Sequence, residues 1–362
     1  MSKPIHVLYS VLNWGLGHAT RSIPIIHELL ANNCKVSLAG EGHSMVLLQK
    51  TFPELNSYPI KGINVNYPIT QSMTFAMMKQ MWAINRAIKS EQEQFKNLVH
   101  TLNPDVIFSD NRYGAFSKNV YSIFIGHQLW IQTPSILKWT EPIIFKLHKK
   151  KIRVFNECWV PDFMGDLNLS GELSHHPKAI ESLQPVFIGP LSRLRLSEIN
   201  KENVSTILVI VSGPEPQRSI FEEKCRKEAE KTGLKTLIVQ GQPHLNNDIT
   251  NKNIRIVSHL AEEDLSAAIT NATYIVCRSG YSTIMDLATL KKNALCIPTP
   301  YQTEQEYLAS SLAKKGIIVH QPQHDIDFNS AFNYLNHLKK FEVPNDGHLK
   351  KNIIRICELL RK

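Results

Sequence analysis

Residues 5–40 read IHVLYSVLNWGLGHATRSIPIIHELLANNCKVSLAG, and the fold follows from how that stretch is parsed. Ile5 to Val11 is an apolar run of the kind buried on both faces of a sheet. From His18 to Leu30 the apolar residues Ile23, Ile26, Leu29 and Leu30 fall at helical spacing, and Lys35 to Gly40 is a second strand. Gly15 and Gly17 lie in the turn between the first strand and the helix, where they let the backbone bend tightly. Strand, turn, helix and strand make one βαβ unit.

The alternation continues outward from there. A helical stretch from about Met73 to Leu102 leads to strands at Asp105 to Asp110, Tyr121 to Gly126 and Phe155 to Pro161, the last expected to close this half. Residues 162–205 are rich in Gly, Pro, Ser and Asn, the composition of a domain boundary. Alternation then restarts with a strand at Ser205 to Gly213, a charged helix at Gln217 to Thr232 and a strand at Leu234 to Gly241. NIRIVSHL, ATYIVCRSG and ALCIPTP are further strands, and a helix near Leu349 to Arg361 ends the pattern. Two such runs predict an α/β protein of two Rossmann-like, doubly wound domains facing a cleft. The expected division is an acceptor-binding domain over 1–165 and a nucleotide-sugar-binding domain over 166–346, with a helix over 347–362 packing back on the first.

Composition narrows the classes. The chain has 362 residues, 43% hydrophobic and 20% charged, with a formal charge of +9. No apolar run approaches the roughly 20 residues that span a bilayer, and the N-terminus lacks a signal-peptide pattern, so a cytoplasmic protein is expected. The cysteines Cys34, Cys158, Cys225, Cys277, Cys296 and Cys357 are scattered, which indicates neither a disulfide framework nor a zinc site. The basic balance favours anionic partners. One cluster, Lys146, His148, Lys149, Lys150, Lys151 and Arg153, reads either as a solvated helix end or as a patch for anionic lipid headgroups.

In doubly wound sheets ligands bind beyond the carboxyl ends of the strands, so chemistry is sought in the loops there. After the first strand, Asn13, Gly15, Gly17 and His18 form a Gly-rich loop that is not the dinucleotide GxGxxG, since Arg21 follows. Asp110 ends another strand, where a carboxylate can orient a histidine. His127 occupies the equivalent place on the next strand and is expected on the acceptor side. Ser212 and Gly213 follow the first strand of the second half, although Pro214 and Pro216 lack N–H donors. Arg278, Ser279, Gly280, Ser282 and Thr283 offer hydroxyls and backbone donors at a helix start, where the dipole favours a diphosphate. Asp286, one turn on, suits ribose hydroxyls, and Gln305 and Glu306 suit sugar hydroxyls.

These residues carry a resemblance. Cys277-Arg278-Ser279-Gly280, the acid Asp286 six places after the glycine, Gln305-Glu306-Tyr307, and the spacing on to Lys315-Gly316 resemble the sugar-nucleotide domain of glycosyltransferase family 28. That family has the GT-B fold and includes enzymes that add N-acetylglucosamine to lipid-linked muramoyl-pentapeptide. The resemblance implies that Asp286 takes the place of the ribose-binding acid, shorter by a methylene. Gln305 and Glu306 take the place of two donor-sugar glutamines, Glu306 being a departure. Arg193 resembles the family's basic residue near the phosphates, and His259 and Leu260 the segment flanking the base. His18 matches the loop histidine; with Asp110 it is also similar to the histidine–aspartate dyad of transferases that act on small hydroxylated acceptors.

The expected function is therefore inverting, metal-independent transfer from a nucleoside-diphosphate sugar to a hydroxyl acceptor, either His18 or Asp110 being the base. The donor is a UDP-sugar, UDP-N-acetylglucosamine favoured, and is a substrate rather than a cofactor. A lipid-linked or cell-envelope glycan is the acceptor class implied. A peripheral contact with an anionic membrane is expected, and no nucleic acid. A sugar-nucleotide epimerase of the same fold and a non-catalytic nucleotide-sugar-binding protein are the alternatives.

Overall fold

The computed structural model describes residues 3–62, 81–197, 206–242, 245–344 and 347–361, the side chains of residues 81 and 82 excepted. The expected helix at 73–80 and the boundary and strand start at 198–205 therefore lie outside the described residues. The described chain forms two compact units, one of residues up to 191 together with 347–361, the other of residues 192–344.

The first unit is built on a seven-stranded parallel sheet. In chain order its strands are β1 (His6–Val11), β2 (Lys35–Gly40), β3 (Asn56–Pro59), β4 (Val106–Asp110), β5 (Tyr121–Ile125), β6 (Glu157–Val160) and β7 (Val186–Phe187). They lie side by side as β3-β2-β1-β4-β5-β6-β7. All six residues of β1 are buried, as helices on both faces of a parallel sheet require. The sheet starts at β1, winds outward through β2 and β3, then resumes on β1's other side with β4. The switch point thus falls between β1 and β4, whose pairing Val11↔Asp110 ends at the carboxyl edge. The helix Gly17–Ala31 packs against the last helix, His348–Arg361, within this unit, bringing Cys34 Sγ and Cys357 Sγ to 3.6 Å.

Two expectations are corrected here. The first half does not close with the strand at Phe155 to Pro161, because β7 adds to it through Trp159↔Val186. Two half-buried residues are too few to show any periodicity. The boundary expected at 165/166 is also too early, since the first unit runs to 191. The Gly- and Ser-rich segment is organised by buried Asp162, whose carboxylate accepts from the backbone N–H groups of Phe163, Leu169 and Ser170 at 2.8–2.9 Å. Turn composition marks an irregular backbone, and here that backbone belongs to the interior of a domain.

The second unit repeats the plan. Its strands are β8 (Ile207–Ile210), β9 (Thr236–Val239), β10 (Asp248–Asn251), β11 (Ile254–Val257), β12 (Tyr274–Cys277), β13 (Leu295–Cys296) and β14 (Val319–His320). They are ordered β10-β11-β9-β8-β12-β13-β14, with exposed β10 the antiparallel edge. Its switch point falls between β8 and β12.

Candidate functional site

In the first unit the loop after β1 starts the helix Gly17–Ala31, and the i, i+3 spacing of His18 and Arg21 puts both on one face of its first turn. Both face Asp110 at the end of β4. His18 Nδ1 lies 2.6 Å from Asp110 Oδ1, Arg21 Nε donates to Oδ2 at 2.8 Å, and Arg21 Nη2 donates to Oδ1. Arg21 Nη1 donates to His127 Nδ1 at 3.2 Å, just beyond β5. The His18–Asp110 pair expected from the sequence is thus in direct contact, and Arg21 joins it to His127. Its signal was its helical spacing from His18.

Asp110 has no exposed surface and Arg21 almost none. Burial alone would raise the Asp110 carboxyl, but Arg21 and His18 outweigh it and hold it at about 2. His18 is lowered from the ordinary imidazole value by burial and by the Arg21 charge, against the opposing pull of Asp110. At neutral pH the pair is therefore a carboxylate and a neutral imidazole, with the Nδ1 proton donated to Asp110 and the lone pair on Nε2.

The loop is held from behind. Arg112 and Glu91 are both buried and bonded, Nε to Oε1, at 2.6 Å. Arg112 also donates to the carbonyls of Val11 and Ile60, and Glu91 accepts from Gly114 N at 2.7 Å. Asn13 serves this scaffold as well. Its Oδ1 accepts from Ser44 N at 3.4 Å, and a Cβ on Gly42 would lie 2.1 Å from its Nδ2. Asn13 thereby braces the next helix. Gly15 has φ +71° and open space where a side chain would stand, whereas Gly17 is simply the first helical residue.

In the second unit the loops after β8, β12 and β13 meet at the switch point. Gly213 has φ +104°, and a Cβ there would sit 3.7 Å from Thr299 Oγ1, a buried hydroxyl with no hydrogen-bond partner among the described residues. Ser212, beside it, is half-buried. Gly280 caps the helix Tyr281–Thr289 in an extended conformation. The first intrahelical bond goes from Ile284 N to Gly280 O, so the N–H groups of Tyr281, Ser282 and Thr283 point out of the helix start. Such a terminus attracts anions.

Asp286, on that helix, accepts from Ser192 Oγ at 2.5 Å. Burial pushes its carboxyl up to about 7; Ser192 and Arg193 pull against this and Glu262 adds to it. Arg193 Nη1 lies 3.6 Å from Glu262 Oε2, just past half-buried Leu260 in the chain. Arg193 and Asp286 are therefore brought into one cluster.

Other donor-site expectations are redirected. Arg278 is buried and donates to the carbonyls of Ile297, Pro298 and Gln217 and to Gln323 Oε1, with Phe221 beneath its guanidinium. Burial brings its pKa down to about 10. Through these four bonds it pins strand ends together. Ser279 is buried and donates to Gln305 O at 2.8 Å. Gln305 Oε1 accepts from Thr299 N and Glu306 Oε1 from Tyr301 N, so both side chains shape the loop before their own helix, Thr303–Lys314.

The basic cluster is also redrawn. His148 points inward, bonded to Tyr113 Oη at 2.8 Å and to Leu129 O, and burial drives it down to about 4. Lys151 is half-buried over the Tyr113 ring. Lys149 is half-buried over the Phe145 ring, so Lys146, Lys150 and Arg153 of the cluster stay exposed; Lys138 is exposed too, as are Ile136 (83%), Trp139 (72%), Ile143, Leu147 and Val154. On the helix Glu141–Ile152 the buried stripe is Glu141, Phe145, His148 and Ile152. The opposite stripe mixes apolar and basic residues, with no acid from 142 to 155. Among the described residues no helix is long and apolar enough to cross a membrane.

A family model described as Glycosyl transferase family 1 matches residues 5–339. The UDP-N-acetylglucosamine--N-acetylmuramyl-(pentapeptide) pyrophosphoryl-undecaprenol N-acetylglucosamine transferase of Burkholderia cenocepacia is 22% identical over 322 residues, 86% of this chain and 82% of that protein. Among solved structures, the glycotransferase of kitacinnamycin superposes with a TM-score of 0.64 at 16% identity, covering 99% of this chain and 96% of that one. The spinosyn rhamnosyltransferase SpnG complexed with thymidine diphosphate superposes with a TM-score of 0.62 at 14% identity, covering 98% and 96%.

The reassignment of Arg278 is open to a direct check. Arg278→Met strands several buried acceptors, each worth about 1–3 kcal/mol. Urea unfolding of the variant is expected to show the second unit strongly destabilised. A stable variant with weakened nucleotide binding would return Arg278 to the ligand site.

Proposed function

The chain belongs to glycosyl transferase family 1 and is a glycosyltransferase of the GT-B fold, and we propose that it is an inverting, metal-independent enzyme that moves a sugar from a UDP-sugar, UDP-N-acetylglucosamine favoured, to a hydroxyl of a lipid-linked or cell-envelope glycan. The observation that carries this reading is the 2.6 Å contact of His18 with buried Asp110 at the first sheet's switch point. The resemblance over residues 277–316 and the name of the Burkholderia cenocepacia relative support the choice of donor.

The acceptor binds the first unit. His18 Nε2 takes the proton of its hydroxyl, and the oxygen attacks the anomeric carbon as the bond from that carbon to the diphosphate breaks. The electron pair leaves with the diphosphate and the anomeric configuration inverts. Asp110 stabilises the imidazolium that forms. It is not itself the base, because a carboxyl held at about 2 with both oxygens bonded has little affinity for a proton. The donor binds the second unit. The N–H groups of Tyr281, Ser282 and Thr283 and the Arg193 guanidinium meet the diphosphate charge, which is the work a metal would otherwise do. Ser212 and Gly213 line the same edge, Leu260 flanks the base and Asp286 accepts from the ribose hydroxyls.

His18→Gln keeps hydrogen bonding but not basicity. It is expected to lower turnover by about 10²–10⁴, the usual worth of a general base, with UDP affinity unchanged. Full turnover on donor plus cell-envelope extract would remove His18 from the base role.

Asp286 gives a second check. Ribose hydroxyls donate, so bound UDP favours the carboxylate and lowers a pKa that stands at about 7 in the free protein. UDP affinity is therefore expected to strengthen as pH rises through 7. Calorimetry in buffers of different ionisation heat should register release of about half a proton at pH 7. Asp286→Asn should abolish the pH dependence. Affinity indifferent to pH and to the substitution would take Asp286 out of the ribose site.

The enzyme is further proposed to work at the cytoplasmic face of a membrane, docking through Ile136, Trp139, Ile143 and Leu147 with Lys138, Lys146, Lys150 and Arg153 on anionic headgroups. Each such cation near the surface contributes about 1 kcal/mol. Binding to phosphatidylglycerol vesicles should fall steeply with salt and weaken in Trp139→Ser even at low salt. Equal binding to neutral vesicles, or none to either, would refute docking by this face.

A further inference from the structure

Arg21 is nearly as buried as the carboxylate it faces, and its guanidinium is divided among side chains from three elements. Nε and Nη2 donate to the two oxygens of Asp110, Nη1 donates to His127 Nδ1 at 3.2 Å, and Nη2 stands 2.9 Å from His18 Nδ1. A neutral imidazole carries one N–H and one lone pair, so each contact decides where the proton sits. At His127 the lone pair on Nδ1 accepts from Arg21, which leaves the proton on Nε2. At His18 a guanidinium and a carboxylate compete for the same nitrogen. The carboxylate is closer, at 2.6 Å, and can only accept, so Nδ1 carries the proton and Nε2 the lone pair.

We infer that Arg21 is a positioning residue that fixes His18 and His127 in opposite tautomers. It sets His127 directly, by donating to it, and His18 indirectly, by keeping Asp110 ionised and aligned. One guanidinium thus sets a lone pair on the His18 Nε2 beyond β1 and a proton on the His127 Nε2 beyond β5. This rests on the transfer reaction proposed above. In that reaction the acceptor hydroxyl gives its proton to His18 Nε2, the nitrogen that Arg21 and Asp110 together keep unprotonated. Lysine cannot substitute, because one ammonium nitrogen cannot span two carboxylate oxygens and an imidazole at fixed angles.

Long-range proton–nitrogen NMR on histidine-labelled protein, at a pH where both rings are neutral, reads the tautomers without donor or acceptor present. The wild type is expected to show a protonated Nδ1 at His18 and a protonated Nε2 at His127. Arg21→Met should shift both rings toward mixed tautomers. If that variant does not fold, Arg21→Lys decides. There His18, still beside an ionised Asp110, should keep its tautomer, while His127 should shift to a mixture. Two rings in the same tautomer in the wild type, or unchanged tautomers in a folded variant, would overturn the inference. Neither spectrum involves sugar transfer. A failed transferase assay would leave this assignment standing, and a reversed tautomer at His127 alone would leave the transferase reading standing without this role for Arg21.

Discussion

A carboxylate with no exposed surface survives only where donors surround it, and the first unit is arranged around one such group. Asp110 is the last residue of β4, opposite Val11 of β1, and Leu12 N donates to its carbonyl so that the pairing continues one step past the strand. That step aims the helix Gly17–Ala31 so that His18, Arg21 and Ser22 all turn to the carboxylate, Ser22 Oγ at 3.5 Å. The low pKa of Asp110 follows from this enclosure, as do the charge state of His18 and the division of labour in which histidine takes the proton and aspartate does not.

Both units solve the same geometric problem in the same way. Near each switch point a buried guanidinium collects backbone carbonyls from the surrounding strand ends, loops and helix starts. Arg112, two residues beyond β4, takes the carbonyls of Val11 and Ile60. Arg278, directly after β12, takes those of Ile297, Pro298 and Gln217. Arginine suits this work because it keeps its charge when buried and directs five donors from one plane. The consequence for interpretation is practical. A cation at the carboxyl end of a strand is as suited to holding the edge as to binding a phosphate, and Arg21, Arg112 and Arg278 all serve the edge.

The alternating parse of residues 5–40 was enough to place β1, the helix and β2 within a residue of their observed ends, because fully buried strands and a one-faced helix leave unmistakable apolar patterns. The restart of the pattern in the second half was legible for the same reason. Short elements were not. β3, β7, β10 and β14 have two to four residues, mostly half-buried or exposed, and carry no period to detect. The basic cluster at 146–153 was legible as charge but not as a face. Only the helix's orientation separates His148 and Lys151, turned inward, from Lys146 and Lys150, and brings Ile136 and Trp139 out beside them.

What the sequence determined by itself was the class of fold, two units of alternating strand and helix, and the loops in which its chemistry lies. Strand ends are fixed by hydrophobic pattern, and loops at strand ends are where a doubly wound sheet presents side chains. What only the tertiary structure decided was which polar residues in those loops are committed to the protein. His18, Asp110 and His127 lie 92 and 17 positions apart along the chain; His18 meets Asp110, and Arg21 links both to His127, only once β1, β4 and β5 stand side by side. Asn13, Arg278, Gln305 and Glu306 have the chemistry of ligands, but each spends at least one polar atom on backbone groups that brace a loop or a strand end. Hydrogen bonding is short-ranged and directional, so whether a donor meets a neighbour or a substrate depends on distances across the fold that spacing along the chain does not encode.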